Sequence, residues 1–475
     1  MSTYNLLIAG KEVNSNKQEK VLDKFSGEAF ATVSIAENNH IEKAIAAAEK
    51  AKKTMAGLPA HVRSRIIADT AKIIGKKSEH FTELIIREAG KPYKFARAEV
   101  ERCIENIEYA AEEAKRIHGE TVPIDAGKAG EGRIGFYERY PVGIVLAISP
   151  YNFPLNLAAH KVAPAVAAGC PVILKPSSLT PLSGIELIKA FMEAGVPEGG
   201  AQVVVGPGSQ TGEMLIKDHR ISKISFTGSR AVGERITHIA GIKKITLELG
   251  SNSGVVIDNT IPNLDFAVKR CVMGAFYYQG QVCISVQRIF AHKDIYDEFT
   301  DKFITRAADW KIGNPLDRET DLGPMISRLE AERVENWINE AAAGGAKILC
   351  GGKREGNILY PTVIGEARPE MKIMKNELFG PAVVVQKIDS FEEGVDLCDN
   401  SEYGLQAGIF TSGITKAMLA VKSLDVGGVI INDIPTFRVD HMPYGGNKSS
   451  GLGREGAKFA IEEMTAPRMV VINLV

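Results

Sequence analysis

A disulfide framework, a metal-ligand spacing and a surplus of charge are all missing from this sequence. Its six cysteines, Cys103, Cys170, Cys271, Cys283, Cys350 and Cys398, form no C-x-x-C pair and stand near no histidine doublet, so neither stapling nor a zinc site is indicated. No metal is expected, and a reducing cytoplasm fits best. The 57 Lys+Arg against 58 Asp+Glu leave a formal charge of −1, which excludes nucleic acid or an anionic membrane as the main partner. Any attraction for an anion must be local. Long apolar runs are lacking too: the most apolar stretch, Leu155 to Leu174, is broken by His160, Lys161 and Pro164, and the opening MSTYNLLIAGKEV has no apolar core long enough for a signal peptide. No membrane segment is expected, and no fixed-period repeat is visible.

What is present is the composition of an ordinary globular chain, 45% hydrophobic and 24% charged, with length for about three domain-sized units. After a short strand-like start, residues 38–118 read as helices, because apolar positions recur at three and four residues. From there the pattern changes. GRIGFYERYPVGIVLAIS reads as two extended segments joined at Pro141–Gly143, and CPVILKP, AQVVVG and ISKISFTG as short parallel-type strands, each with a helix candidate behind it. That is the grammar of a doubly wound α/β sheet, which binds ligands beyond the carboxyl ends of its strands. A second α/β set runs to about residue 440 through QRIFAH, GAKILCGG, AVVVQKI, AGIFTS and GGVIIND. The final RMVVINLV is an apolar strand that must pair with another part of the fold or another subunit.

Five segments carry chemistry. In FYYQGQVCIS, Cys283 is reached through a glycine-bearing turn that can present a thiolate nucleophile, although an isolated cysteine is ordinarily a small buried apolar residue. In ITLELGSNSG, Glu248 ends an apolar strand, where burial raises a carboxyl pKa toward that of a general base; the bland alternative is a carboxylate facing water. Asn152 in ISPYNFPLN follows a strand end, where an amide donates to an oxyanion or merely forms a turn. Lys175 ends the strand of ILKPSS, and ISFTGSRAVG runs through Gly228 and Ser229 into a helix whose free N–H groups suit a phosphate.

Taken in this order, Asn152, Lys175, Gly228-Ser229, Glu248 and Cys283 resemble the signature set of the aldehyde dehydrogenase superfamily. ELFGP at Glu377–Pro381, EYGLQAGIFT and MPYGGNKSSGLGREG are similar to its later landmarks, so the resemblance covers the whole chain. It implies a Rossmann-like cofactor domain (1–119 and 143–248), an α/β catalytic domain (249–440), a small β oligomerisation element (120–142 and 465–475), a return segment (441–464) on the cofactor domain, and a homo-oligomer, dimer or tetramer. It also implies Cys283 as nucleophile, Asn152 as oxyanion donor and Glu248 as the base that activates water. Lys175, Ser178, Gly228, Ser229, Glu377 and Phe379 are then contacts for NAD or NADP.

The departures from the family pattern are informative. Tyr151 and Ser251 replace a tryptophan and a glycine, and Ser251 is expected to alter the loop after Glu248. Ser178 replaces an acidic residue that would repel a 2′-phosphate, so NADP becomes admissible beside NAD. Arg102, His160 and Arg438 lie where the resembling lactaldehyde, phosphonoacetaldehyde and sulfolactaldehyde dehydrogenases are expected to hold the substrate's distal anion. Val282 stands where the phosphonoacetaldehyde enzymes are expected to carry an arginine, so a sulfonate monoanion, as in 3-sulfolactaldehyde, is favoured over a phosphonate dianion. Lactaldehyde, succinate semialdehyde and glyceraldehyde 3-phosphate remain alternatives, as does a CoA-acylating reaction, against which Glu248 argues.

Overall fold

A computed structural model describes residues 2–474. Its helical amino-terminal half obeys the apolar spacing of the sequence: helix Asn38–Ala56 buries Ile41, Ala44, Ile45, Ala48, Ala51 and Met55. Ala60–Lys76, Ser78–Ala89 and Tyr93–Glu113 follow in the same manner. The strand-like start is more elaborate than expected. Between Ser2 and Ser34 lie five strands, of which Ser2–Tyr4, Ala29–Ser34 and Gln18–Leu22 form a small sheet, while Leu6–Ile8 and Lys11–Val13 extend the main one. Segments of three residues are too short to show a period.

The main sheet has eight strands in the order Gly451–Leu452, Lys244–Glu248, Ile221–Thr227, Ile144–Ile148, Val172–Lys175, Ala201–Val203, Leu6–Ile8 and Lys11–Val13. Its five central strands are parallel. Ile144–Ile148 comes first in the chain among these and sits in the middle, with later strands added on both sides, so the crevice of a doubly wound fold opens beside it. The segments after Ile148, Lys175, Thr227 and Glu248 therefore all leave the same edge of the sheet.

A second sheet of seven strands runs Lys347–Cys350, Thr362–Gly365, Ala382–Ile388, Arg288–His292, Gly254–Ile257, Gln406–Phe410 and Gly428–Ile431, parallel except for its first edge strand. The loops with Cys283 and Glu377 lead into its strands Arg288–His292 and Ala382–Ile388. The terminal strand Thr465–Asn473 pairs antiparallel with Arg133–Pro141, which also pairs with Glu120–Val122. This three-stranded sheet exposes Ile134, Met469, Val471 and Ile472, and Leu474 just after it is exposed too; Val475 lies outside the described residues. Among the described residues no helix is long and apolar enough to cross a membrane.

Candidate active site

Cys283 owes its place to a strained turn. Tyr278, Gln279 and Gly280 have φ of 46°, 55° and 67°, a left-handed run that costs of order 1–3 kcal/mol per non-glycine residue and persists only where its surroundings over-determine it. They do so here. The Tyr278 hydroxyl donates to the Ala89 carbonyl at 2.8 Å, Gln279 Nε2 donates to the carbonyls of Gly90 and Pro324, and Ile326 N–H donates to Gln281 Oε1 at 3.0 Å. At Gly280 a Cβ would lie 2.1 Å from the Gly380 carbonyl oxygen, so only glycine fits.

Asn152 is buried and donates from Nδ2 to the Gln281 carbonyl at 2.9 Å, two residues before the thiol. One amide hydrogen is thereby held and the other remains for a substrate oxygen. The loop carrying Asn152 is anchored from behind. Glu99, buried and paired with buried Lys91, accepts from Leu155 N–H and Asn156 N–H at 3.0 and 3.2 Å, satisfying free donors at the start of helix Asn156–Ala168. The Lys91 ammonium in turn lies 3.7 Å from the Phe153 ring centroid.

Glu248, 3% exposed, has no hydrogen-bond partner on either carboxyl oxygen. Burial, reinforced by the charge of Glu455, pushes its pKa well above the usual carboxylate range against the pull of Arg438, Lys161 and Arg454. It is thus a carboxyl poised to accept a proton only after losing its own. Burial likewise raises the Cys283 thiol to about 11, with Tyr444 and Arg438 opposing that rise.

Cys283, Asn152 and Glu248 line a cavity of about 760 Å³ together with Lys175, Ser178, Gly228, Ser229, Glu377 and Phe379 and the apolar Leu179, Ile216, Val232 and Ile236. The volume suits a nucleotide-sized ligand. Lys175 Nζ donates to the Pro176 carbonyl at 3.2 Å, and burial lowers its pKa to about 8. Glu377 is raised to about 7 by burial and accepts from Ser251 N–H at 3.0 Å. A Cβ at Gly250 would fall 2.1 Å from that carboxylate. Ser251 itself is outside the left-handed region, so its β-carbon meets no backbone strain there. Ser229 precedes helix Arg230–Ile239 with its own side chain uncommitted to a cap, leaving the helix's first N–H groups for a ligand. These residues fit a dinucleotide.

Arg102, His160 and Arg438 do converge, but around a carboxylate. Arg102 grips Asp440 through Nε and Nη2 at 3.1 and 2.7 Å, and His160 Nε2 lies 2.9 Å from the same Asp440. Arg438 Nη2 lies 3.2 Å from His160 Nε2 and 3.3 Å from Glu455. One ring nitrogen cannot donate to Asp440 and accept from Arg438 together; donation to the carboxylate is the shorter and charge-assisted choice. Burial and Arg438 lower the His160 pKa, so the ring stays neutral. Burial opposes ionisation of Asp440, yet His160 and the two arginines outweigh it and hold the carboxyl well below the usual range.

The sequence reading missed Lys161, Asp440, Tyr444 and Glu455. Lys161 donates to Glu455 at 2.5 Å and to Thr227 at 2.7 Å, all buried, and the Tyr444 hydroxyl lies 3.1 Å from Cys283 Sγ. A lysine in the apolar stretch LAAHKVAPA, with no acidic neighbour in sequence, was the available signal for a distant carboxylate.

The profile of the aldehyde dehydrogenase family matches residues 12–470. The chain is 42% identical over 471 residues to 3-sulfolactaldehyde dehydrogenase of Priestia aryabhattai, covering 99% of this chain and 98% of that protein. Among solved structures, aldehyde dehydrogenase 21 of Physcomitrella patens, in complex with its product succinate, superposes with a TM-score of 0.98 at 40% identity, covering 100% and 99% of the two chains. NADP-dependent glyceraldehyde-3-phosphate dehydrogenase of Bacillus halodurans, complexed with NADP, superposes with a TM-score of 0.97 at 36% identity over 100% of both chains.

Proposed function

Since the chain belongs to the aldehyde dehydrogenase family and oxidises an aldehyde with NAD or NADP, we propose that Cys283, Asn152 and Glu248 perform the reaction and that its substrate is a short aldehyde with a distal monoanion, 3-sulfolactaldehyde being oxidised to 3-sulfolactate. The thiolate of Cys283 attacks the aldehyde carbon. The free N–H of the Asn152 amide and the backbone N–H of Cys283 stabilise the oxyanion, a role worth about 3 kcal/mol where measured in other enzymes. NAD(P), when bound, accepts the hydride that leaves this adduct. Glu248 then takes a proton from the water that hydrolyses the resulting thioester, releasing the acid and the Cys283 thiolate. When the dinucleotide is bound, Lys175 and Glu377 would contact its riboses, Gly228 and Ser229 its pyrophosphate, and Ser178 and Phe379 would complete its binding residues.

The observation that carries the substrate reading is the charge count of the cluster around Asp440 and Glu455, whose Arg438 bears on Cys283. Arg102, Arg438 and Lys161 supply three positive charges and Asp440 and Glu455 two negative ones, His160 is neutral, and the charge Glu248 gains when it ionises to act as a base is offset by Arg454. A surplus of one positive charge favours a monoanion over a dianion. The 42% identity to a 3-sulfolactaldehyde dehydrogenase agrees with this choice, and the 40% identity to a lactaldehyde dehydrogenase keeps that aldehyde as the alternative. Kinetics of the Arg102→Ala variant with sulfolactaldehyde and with a neutral aldehyde of similar size test it. KM for the charged aldehyde should rise about tenfold to hundredfold, corresponding to about 1.5–3 kcal/mol of charge-assisted hydrogen bonding, while the neutral one hardly changes. Equal losses for both aldehydes would remove the anion subsite and leave lactaldehyde as the better substrate. Turnover that required CoA would favour acyl transfer over hydrolysis.

For the cofactor, Ser178→Glu is expected to shift the NAD/NADP activity ratio toward NAD by about tenfold, through repulsion of the 2′-phosphate worth about 1.4 kcal/mol. An unchanged ratio would put the discriminating contact elsewhere in the cavity. The same proposal assigns the eight-stranded sheet, with residues 1–119, 143–248 and the return segment 441–464, to cofactor binding and residues 249–440 to the catalytic unit. The three-stranded sheet, with its exposed apolar side chains, is the oligomerisation element of a dimer or tetramer. Six free cysteines suit the cytoplasm.

A further inference from the structure

The reacting sulfur has one side-chain hydrogen-bond partner that the roles assigned above leave unused. Tyr444 is 2% exposed, and its hydroxyl lies 3.1 Å from Cys283 Sγ. The ring cannot drift away from the thiol. Tyr444 N–H donates to the Glu455 carbonyl at 3.1 Å and Glu455 N–H returns a bond to the Tyr444 carbonyl at 2.7 Å, a two-way bridge. The Arg438 guanidinium lies 3.6 Å from the ring centroid, over the face of the ring.

We propose that the Tyr444 hydroxyl is a catalytic hydrogen-bond donor to the Cys283 thiolate, with Arg438 on its ring face strengthening the donor. The inference rests on Cys283 being the nucleophile. While the sulfur is a thiol, either atom can donate. Once the proton has left the sulfur, only O–H donation to S⁻ remains, and bonds to charged acceptors are the strong ones. A cation over the ring withdraws electron density from the phenol and makes its O–H a better donor. Burial keeps the phenol's own pKa well above its ordinary value, so it stays protonated wherever the enzyme works and does not compete as an acid. The other charged groups bearing on the sulfur are Arg438, which favours the thiolate, and Glu377 and Glu248, which oppose it when ionised. Tyr444 is thus the neutral group that stabilises S⁻ by direct contact. The interaction ends when the carbon–sulfur bond forms and the sulfur loses its charge, so it lowers the cost of making the nucleophile without holding the thioester.

Alkylation of Cys283 by iodoacetamide, followed against pH by mass spectrometry of the Cys283 peptide, tests this. Because the thiol is raised, alkylation of the wild type should accelerate steadily through the alkaline range. In Tyr444→Phe the profile should move to higher pH, with alkylation about tenfold slower at any fixed pH below the plateau. Replacing Tyr444 by 3-fluorotyrosine, a more acidic phenol that keeps the ring, should move it the opposite way and decides the matter if the phenylalanine variant fails to fold. Superimposed profiles for the wild type and both variants overturn the proposal. If complete alkylation of Cys283 left turnover intact, the nucleophile assignment would fail instead, and the two failures are distinguishable.

Discussion

Replacing Cys283 by alanine is expected to abolish dehydrogenase turnover, by up to roughly 10⁶-fold, the scale on which loss of an enzymic nucleophile has been measured. The dinucleotide cavity should be left intact. Its lining residues Lys175, Ser178, Gly228, Ser229 and Glu377 belong to other strands and loops than Cys283. Fluorescence titration should therefore give unchanged cofactor affinity. The variant should also be slightly less stable, because the buried Tyr444 hydroxyl loses its acceptor, at a cost of about 1–3 kcal/mol. Cys283→Ser separates the two effects. A serine oxygen still receives the Tyr444 hydrogen bond, so thermal unfolding should approach that of the wild type, while a hydroxyl, far less acidic than a thiol, is not converted to a nucleophile and turnover stays abolished. Retained turnover in the alanine variant would sink the assignment of the nucleophile.

How far this site is legible in the sequence depends on whether its residues act through their own segment or through a distant one. Asn152, Lys175, Gly228 and Glu248 each follow a strand that the apolar pattern marks, and four adjacent parallel strands deliver them to one edge. The helices of residues 38–113 and the terminal strand are legible for the same reason, a period sustained over a whole element. Of the five strands up to Ser34, the three of three residues each are not, since so short a segment shows no period and forms only through pairing with its neighbours in the sheet. Buried ion pairs are hidden in the same way. Arg102 and Asp440 are 338 residues apart and Lys161 and Glu455 are 294 apart, so nothing in either neighbourhood announces the other. From sequence, Arg102, His160 and Arg438 look like three cations awaiting an anion. In the fold His160 is neutral and Asp440 and Glu455 offset the two arginines, so the single positive charge to spare comes only with Lys161, which shares Glu455.

Glu248→Gln is expected to preserve a rapid first turnover and slow every later one. Acylation needs Cys283, Asn152 and the cofactor; the base is needed only when water attacks the thioester, so one equivalent of NADH per site should form in a burst before the steady state. Glutamine is nearly isosteric and enters a place where neither carboxyl oxygen has a partner, so the fold need not respond. An amide cannot accept the proton, and loss of a general base costs typically 10²–10⁴-fold. The pH dependence gives a second reading of the same event. Burial holds the Glu248 pKa high, so in the wild type the deacylation rate should rise as pH increases and the carboxyl ionises. In the variant that ionisation is absent, and the residual rate should follow hydroxide alone. Stopped-flow measurement of NADH formation across the neutral and alkaline range distinguishes the two profiles. Loss of the burst itself would mean that Glu248 acts before the thioester exists, as the acceptor of the Cys283 proton, and the order of steps would have to be rewritten with the carboxylate first.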